Sequence, residues 1–192
     1  MKILNPNLIP FCLTTVACVL SMTSPALAAT SASTTISASI VGGSCDIAAP
    51  ATLAIMDGEP IPAEDITTTS TIAETFNLTL SGCNGYGLTP SIKVTGDDNS
   101  LSGKSLFVSA TSTSKGYGIL LSTVGNTNFQ ANTNLAANKT ITAATKTWGN
   151  TVASSLNGTI PLTATVSCGD CVSTTLQGGM LNASLTFEFL YQ

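Results

Sequence analysis

The sequence predicts an all-β domain, a sandwich or barrel of short strands. Thr, Ser and β-branched residues are abundant, and Gly, Asn and Asp interrupt short apolar runs. No stretch shows a convincing period of 3.6 residues over twelve residues, which argues against long helices. Within the last fourteen residues, 179–192, apolar side chains recur at every second position from Leu181 to Tyr191, and of the positions between these only Leu190 is apolar. This pattern predicts a long terminal strand with one apolar face. The apolar positions are Leu181, Ala183, Leu185, Phe187, Phe189 and Tyr191.

Residues 1–28 have the pattern of a cleaved secretory signal peptide. Lys2 supplies a positive start, residues 8–22 an apolar core, and Ala26-Leu27-Ala28 a small-x-small cleavage site. The apolar core is too short for a membrane anchor, and a lipoprotein signal is disfavoured because Cys18 lies inside it. The organisation predicted for the rest is an arm over 29–43 and a single domain over 44–192.

The arm shows a second one-sided alternation. Positions 32 to 40 alternate between small or aliphatic side chains and serine or threonine, and no residue from 29 to 45 is charged. Two interpretations stay open: an ordinary first strand of the sandwich, or a strand made for another molecule's sheet. The positions on the apolar side are Ala32, Thr34, Ile36, Ala38 and Ile40.

Charge excludes nucleic acid as a partner class. Removal of Lys2 leaves five of the six lysines against ten acidic residues, a net charge of −5, and the chain has no arginine. Nucleic acids are held through clustered Lys and Arg, which this chain lacks. Nothing after the signal approaches the length of a membrane-spanning helix. We therefore expect an exported protein that resides outside the cytoplasm.

The interior of the chain reads as strands separated by turns. Within residues 160–168 an apolar side chain stands at every second position, and Pro161 predicts that this strand begins at a sheet edge. We expect at most a short helical turn within 136–145, and a loop with one strand over 125–150. The predicted strands are 76–80, 91–95, 105–109, 117–121 and 160–168, with turns at 84–85, 96–99 and 157–158.

Four cysteines remain after cleavage: Cys45, Cys83, Cys168 and Cys171. An even count in an exported chain predicts two disulfides, with three connectivities available. We favour Cys45–Cys83, whose 39-residue loop is worth about 4 kcal/mol in the chain-entropy model, together with Cys168–Cys171 across a turn. A thioredoxin-like redox site needs the Cys-x-x-Cys motif at a helix start, and here a β pattern precedes it. The absence of histidine disfavours zinc.

The sequence offers no catalytic constellation, and we expect neither an enzyme nor a cofactor or metal. The carboxylate pairs Glu64-Asp65 and Asp97-Asp98 are adjacent residues in turn-like contexts, so solvated turn acids explain them better than a glycosidase pair. Histidine, the usual general base, does not occur. The abundant serines and threonines have no evident activating partner.

Both ends together resemble the pilins of the bacterial chaperone–usher family, in the type 1-like branch. Gly179 is fourteenth from the end, and alternating apolar residues lead to a penultimate Tyr191 before Gln192, as in the C-terminal motif of that family. Cys45 follows the arm, and Cys83 closes a Leu-Ser-Gly-Cys sequence, which matches the family disulfide. Internal segments 94–96 and 116–121 also resemble family strands. The pair Cys168 and Cys171 and the alanine at position 38 depart from the usual pattern.

The resemblance implies an immunoglobulin-like sandwich that lacks its last strand and is completed by a donor strand from a neighbouring subunit. A periplasmic chaperone would fill the groove first, and at an outer-membrane usher the arm of the next subunit would replace it, giving a head-to-tail fimbria that supports cell adhesion. The fibre could then meet a host receptor. The implied donor strand is Ala32, Thr34, Ile36, Ala38 and Ile40, and the implied C-terminal zipper is Gly179, Ala183, Leu185, Phe187, Phe189, Tyr191 and Gln192.

A different class of function stays open beside the pilin. A self-contained secreted β-sandwich could bind carbohydrate or a host protein, with Trp148 and Tyr117 as stacking residues. A complete sandwich would be a stable monomer without the arm, and a pilin would not. Within the pilin interpretation, the sequence leaves a shaft subunit and a minor or adaptor subunit equally open.

Overall fold

The computed structural model describes residues 34–39, 43–87, 89–101, 103–145, 152–171 and 176–191. Short 3-10 turns lie at Ile55–Gly58, Ala63–Asp65 and Ala153–Leu156. One short helix, α1, spans Leu135–Asn138. The strands are β1 (Gly43–Ala48), β2 (Ala73–Gly85), β3 (Pro90–Thr95), β4 (Asp98–Leu101), β5 (Lys104–Phe107), β6 (Gly118–Thr123), β7 (Thr140–Thr142), β8 (Gly158–Ser167) and β9 (Thr186–Tyr191).

The strands form two antiparallel sheets, so the all-β prediction is confirmed and the two sheets fit a β-sandwich. One sheet has six strands in the order β1-β2-β8-β6-β5-β4, and the other has three in the order β7-β3-β9. Both the first described strand, β1, and the last, β9, therefore lie at a sheet edge. Edge strands leave one row of backbone N–H and C=O groups without a ladder partner.

The core lies between the sheets and follows from the period-two patterns. Leu78 of β2 pairs with Ile160 of β8, and both are fully buried. Ile92 and Val94 of β3, in the other sheet, are equally buried. Alternation along each strand turns one side chain in two to this core and the others to solvent. The predicted strands 76–80, 91–95 and 117–121 fall within or overlap β2, β3 and β6, and the prediction of strands in these regions is confirmed.

Several local predictions were wrong. Strand β8 is interior, between β2 and β6, although Pro161 predicted an edge. The proline is tolerated because the ladder with β6 ends at the pair Thr123–Leu162, and the Thr123 hydroxyl donates to the carbonyl of Pro161 at 2.6 Å. Within the predicted turn 96–99, Asp98 and Asn99 instead begin β4, because they pair with β5.

The middle of the chain agrees with the expectation of a short helical turn and one strand. Asn134 caps α1, its side-chain oxygen accepting from the backbone N–H groups of Ala136 and Ala137. Strand β7 follows directly and pairs with β3. Although its composition is polar and repetitive, this region therefore forms one edge strand of the smaller sheet.

Two disulfides occur, with the pairing favoured above. Cys45–Cys83 joins β1 to β2, and Cys168–Cys171 closes the turn that follows β8. Two disulfides in one domain indicate a protein that matures outside the reducing cytoplasm. Separately, no helix within the described ranges has the length and apolar character needed to cross a membrane.

Candidate functional site

The apolar face of the terminal strand is incompletely covered. Strand β9 pairs with β3 alone, and Phe187 and Phe189 lie opposite Val94 and Ile92. Those two β3 side chains are fully buried, whereas Phe187, Phe189 and Tyr191 are only half-buried. Because β9 is at the edge of its sheet, no described strand is hydrogen-bonded to its outer side, although β1 lies close to it. An apolar strip therefore stays partly open to water along this edge.

The neighbouring edge of the larger sheet is open as well. Strand β1 is short and pairs only with residues 79–85 of β2. Residues 73–78 of β2 have β8 on one side and no described strand on the other. The chain thus presents two unpaired strand edges beside a shared apolar core, and we call the space between them the groove.

Thirteen partly buried apolar side chains pack against the buried core. We call them the rim. They come from both open edges, from the terminal segment and from the loop before β2. The rim consists of Cys45, Ile47, Ile55, Ile61, Ile66, Ile72, Phe76, Leu181, Ala183, Leu185, Phe187, Phe189 and Tyr191.

One end of the groove is closed by Tyr191. Its hydroxyl donates to the carbonyl of Asn84 at 3.3 Å and lies 3.9 Å from the sulfur of Cys45. The ring packs edge-on against Phe189, with centroids 4.8 Å apart. Burial raises the pKa of Tyr191 above its ordinary value. A Cβ atom on Gly43 would clash with the carbonyl oxygen of Asn84 and lie 2.9 Å from the tyrosine oxygen, so only glycine fits there without displacement.

The other end is bounded by Phe76 and by the isoleucine loop, residues 55–72. The rings of Phe76 and Phe187 meet edge-on with centroids 6.3 Å apart, across the two sheets. The loop is fixed to the core because the Val166 N–H donates to the carbonyl of Ile72 at 3.0 Å. The sulfur of Cys168 also lies 3.4 Å from the carbonyl of Ile66. A cavity of about 340 Å³ opens within this loop and is lined by residues that include Ile61 and Ile72.

The predicted strand over 179–192 is shorter in the structure. Regular pairing begins only at Thr186, although the apolar side chains keep their alternation in the rim. The backbone before Thr186 is held by hydroxyls of the segment 109–114. Asn182 N–H donates to Ser112 Oγ at 2.9 Å, and Ser184 N–H to Ser109 Oγ at 3.1 Å. Side-chain oxygens thus satisfy amides that a strand partner would otherwise bond.

The structure describes only part of the predicted donor strand. Residues 34–39 form no regular secondary structure and are exposed, with Ile36 88% exposed. Ala32 and Ile40 lie outside the described residues, as do Gln192, Trp148 and the whole of the predicted signal 1–28. The zipper residues that are described, apart from Gly179, all belong to the rim.

The remaining candidate residues do not form a site. Glu64 and Asp65 lie in an exposed 3-10 turn, and Asp98 forms an ion pair with Lys139. Tyr117 is 5% exposed and therefore offers no face to a sugar. An open cavity of about 520 Å³ near Asp97 is lined by polar and small residues, without an aromatic ring. Among the described residues, no three potential metal ligands come together.

Sequence reasoning missed the isoleucine loop. Its four isoleucines are spaced five or six residues apart, which matches neither a helical nor a strand period. The signal that could have found them is composition, because isoleucine recurs among proline, threonine and acidic residues in a segment that otherwise reads as a surface loop. Neither a protein-family model nor a curated protein matches the sequence.

Proposed function

We propose that this chain is a structural subunit of a bacterial surface fimbria, of the type 1-like pilin class, that polymerises by donor-strand exchange and supports adhesion. A periplasmic chaperone delivers the subunit to an outer-membrane usher. There the arm of one copy enters the groove of the next. Strand addition of this kind takes affinity from backbone bonds and specificity from alternate side-chain pockets.

One observation carries the proposal: the apolar face of the terminal strand lies half-buried at a sheet edge, beside a second open edge. A self-sufficient sandwich would cover this strip, because open apolar edges promote aggregation. Because both chain ends resemble those of pilins, we take the occupant of the groove to be the arm of another copy, an uncharged strand with one apolar side. Because groove and arm are different surfaces, copies join head-to-tail and the contact does not close on itself.

The energy at stake is comparable with the stability of a domain. Covering the thirteen rim side chains adds on the order of 0.5 kcal/mol each, and each arm isoleucine adds about 1.5–3 kcal/mol. The sum is on the order of 10 kcal/mol, against roughly 5–15 kcal/mol for a typical domain. The isolated subunit is therefore expected to be marginal and the filled one robust.

The test compares the mature chain with a form that lacks residues 29–43. We expect the truncated form to be unstable alone and to gain sharply in melting temperature when a synthetic peptide of residues 29–43 is added. Size-exclusion chromatography of the mature chain should show multimers. A truncated form that is a stable monomer, indifferent to the peptide, would refute the proposal and make the chain a self-contained binding domain.

A further inference from the structure

One charged side chain lies on the inner face of β2, in the part that β1 leaves uncovered. Glu74 stands between Ile72 and Phe76 at alternate positions, on the same side as the buried Leu78. It pairs directly with Ala164 of β8, which is 6% exposed and faces the core. Because strand side chains alternate, the Glu74 carboxylate belongs to the apolar wall of the groove.

This carboxylate has no partner among the described residues. Within the described part of the chain, no residue donates a hydrogen bond to Glu74 or pairs with its charge. Strand β8 and residues 176–185 carry no charged residue at all. The charged groups on the other surrounding elements are exposed: Asp46 on β1, Lys93 on β3, Glu188 on β9, and Asp57, Glu59, Glu64 and Asp65 in the isoleucine loop.

Water reaches Glu74 while the groove is open, since the residue is partly exposed. A strand laid into the groove removes that water. The arm offers no cation in exchange, because residues 29–45 are uncharged. Burying a charge without a partner costs free energy, so the groove should hold an uncharged strand less tightly than a strand that brings a cation.

We infer that Glu74 determines which strands the groove accepts: it weakens the binding of an uncharged strand, such as residues 29–43 of a second copy, and favours a strand that places a lysine over its carboxylate. This inference rests on the proposed function, because it takes the groove to be a strand acceptor.

The experiment measures self-association of the full mature chain, from residue 29, by sedimentation velocity at pH 7.5. E74Q should associate at least about tenfold more tightly than the wild type, because no unpaired charge is then covered. E188Q removes the same charge from the exposed face of β9 and should associate like the wild type.

Excess peptide of residues 29–43 must dissolve the association, which shows that arm and groove are being measured. Peptide-sensitive association of equal strength in E74Q and in the wild type would overturn the inference and leave the proposed function standing. No association of either protein, and no effect of the peptide, would overturn both. E74L replaces E74Q if circular dichroism shows that the glutamine variant is unfolded, with the same expected gain in association.

A second measurement, at pH 7.5, tests whether a lysine in the arm binds more tightly when Glu74 is present. Peptides 29–43 carrying Thr34→Lys or Ala38→Lys compete for the groove of wild type and of E74Q. We expect one of them to bind the wild type at least tenfold more tightly than it binds E74Q, and that position then gives the register of the arm. If neither peptide distinguishes the two proteins, Glu74 does not select the strand.

Discussion

Replacing Ile36 with alanine tests whether the arm is a donated strand. Ile36 is 88% exposed in the arm, so its side chain gains nearly its full burial when it enters a groove. Burying an isoleucine is worth about 1.5–3 kcal/mol, of which alanine retains a small part. We expect a loss of about 2 kcal/mol, which corresponds to an association constant roughly 30-fold lower.

The matched control is the next residue, Ser37. It is exposed as well, but in a strand it points to the opposite side from Ile36. Ser37→Ala should therefore leave association within about twofold of wild type, since a surface substitution changes free energy by about 0.5 kcal/mol or less. The arm thus offers two adjacent test positions: Ile36, on the side that would face the groove, and Ser37, on the opposite side.

The assay is sedimentation of the mature chain over a range of concentrations, repeated with synthetic arm peptides that raise the melting temperature of the chain lacking 29–43. Both readouts should rank wild type and Ser37→Ala together, above Ile36→Ala. Equal losses for the two substitutions would refute a one-sided strand. No loss for either would refute the arm as the occupant of the groove.

Three further results are expected. Gly43→Ala should lower the melting temperature and Gly178→Ala should not, because a Cβ at the first meets the Tyr191 oxygen and a Cβ at the second meets nothing within 4 Å. The raised pKa of Tyr191 favours the neutral phenol in the folded state, so stability should fall as the pH rises above the unfolded value of 10.0. In a pH series of thermal melts, the melting temperature of Tyr191→Phe should fall less over this range than that of the wild type. Replacing Cys168 and Cys171 with alanine should cost about 2 kcal/mol in chemical denaturation, since their loop is short, and a loss of 4 kcal/mol or more would contradict the chain-entropy estimate.

Faces of strands could be predicted from the sequence, and partners could not. The alternation through Ile160 and Leu162 gives the buried side of β8 whatever strand lies beside it. Position in the sheet depends on contacts far along the chain, so Pro161 suggested an edge where the structure has an interior strand. For the same reason, the start of β9 at Thr186 could not be predicted, because hydroxyls some seventy residues earlier bind the preceding backbone.

The residues of the candidate site likewise fall into those that could be predicted from the sequence and those that could not. The apolar terminal residues such as Phe187 were identified from their period, because that period is local. Glu74 was not identified, since its strand was expected to begin at Phe76 and a single acidic residue before a strand reads as a solvated end. Only the pair Glu74–Ala164 places it on the inner face. Pairing register, a non-local property, therefore identified the charged residue that, among the described residues, distinguishes this groove from a purely apolar one.

Connectivity favours a second copy as the occupant over the chain's own arm. The arm joins the domain at Gly43, where a Cβ atom would already meet the Tyr191 hydroxyl. To fill its own groove, the arm would have to reverse direction after leaving this closed corner, and the residues used for that turn would be lost from the strand that enters the groove. An arm from another molecule enters without that loss, so association should depend on concentration, and filling that is independent of dilution would show that the chain completes itself.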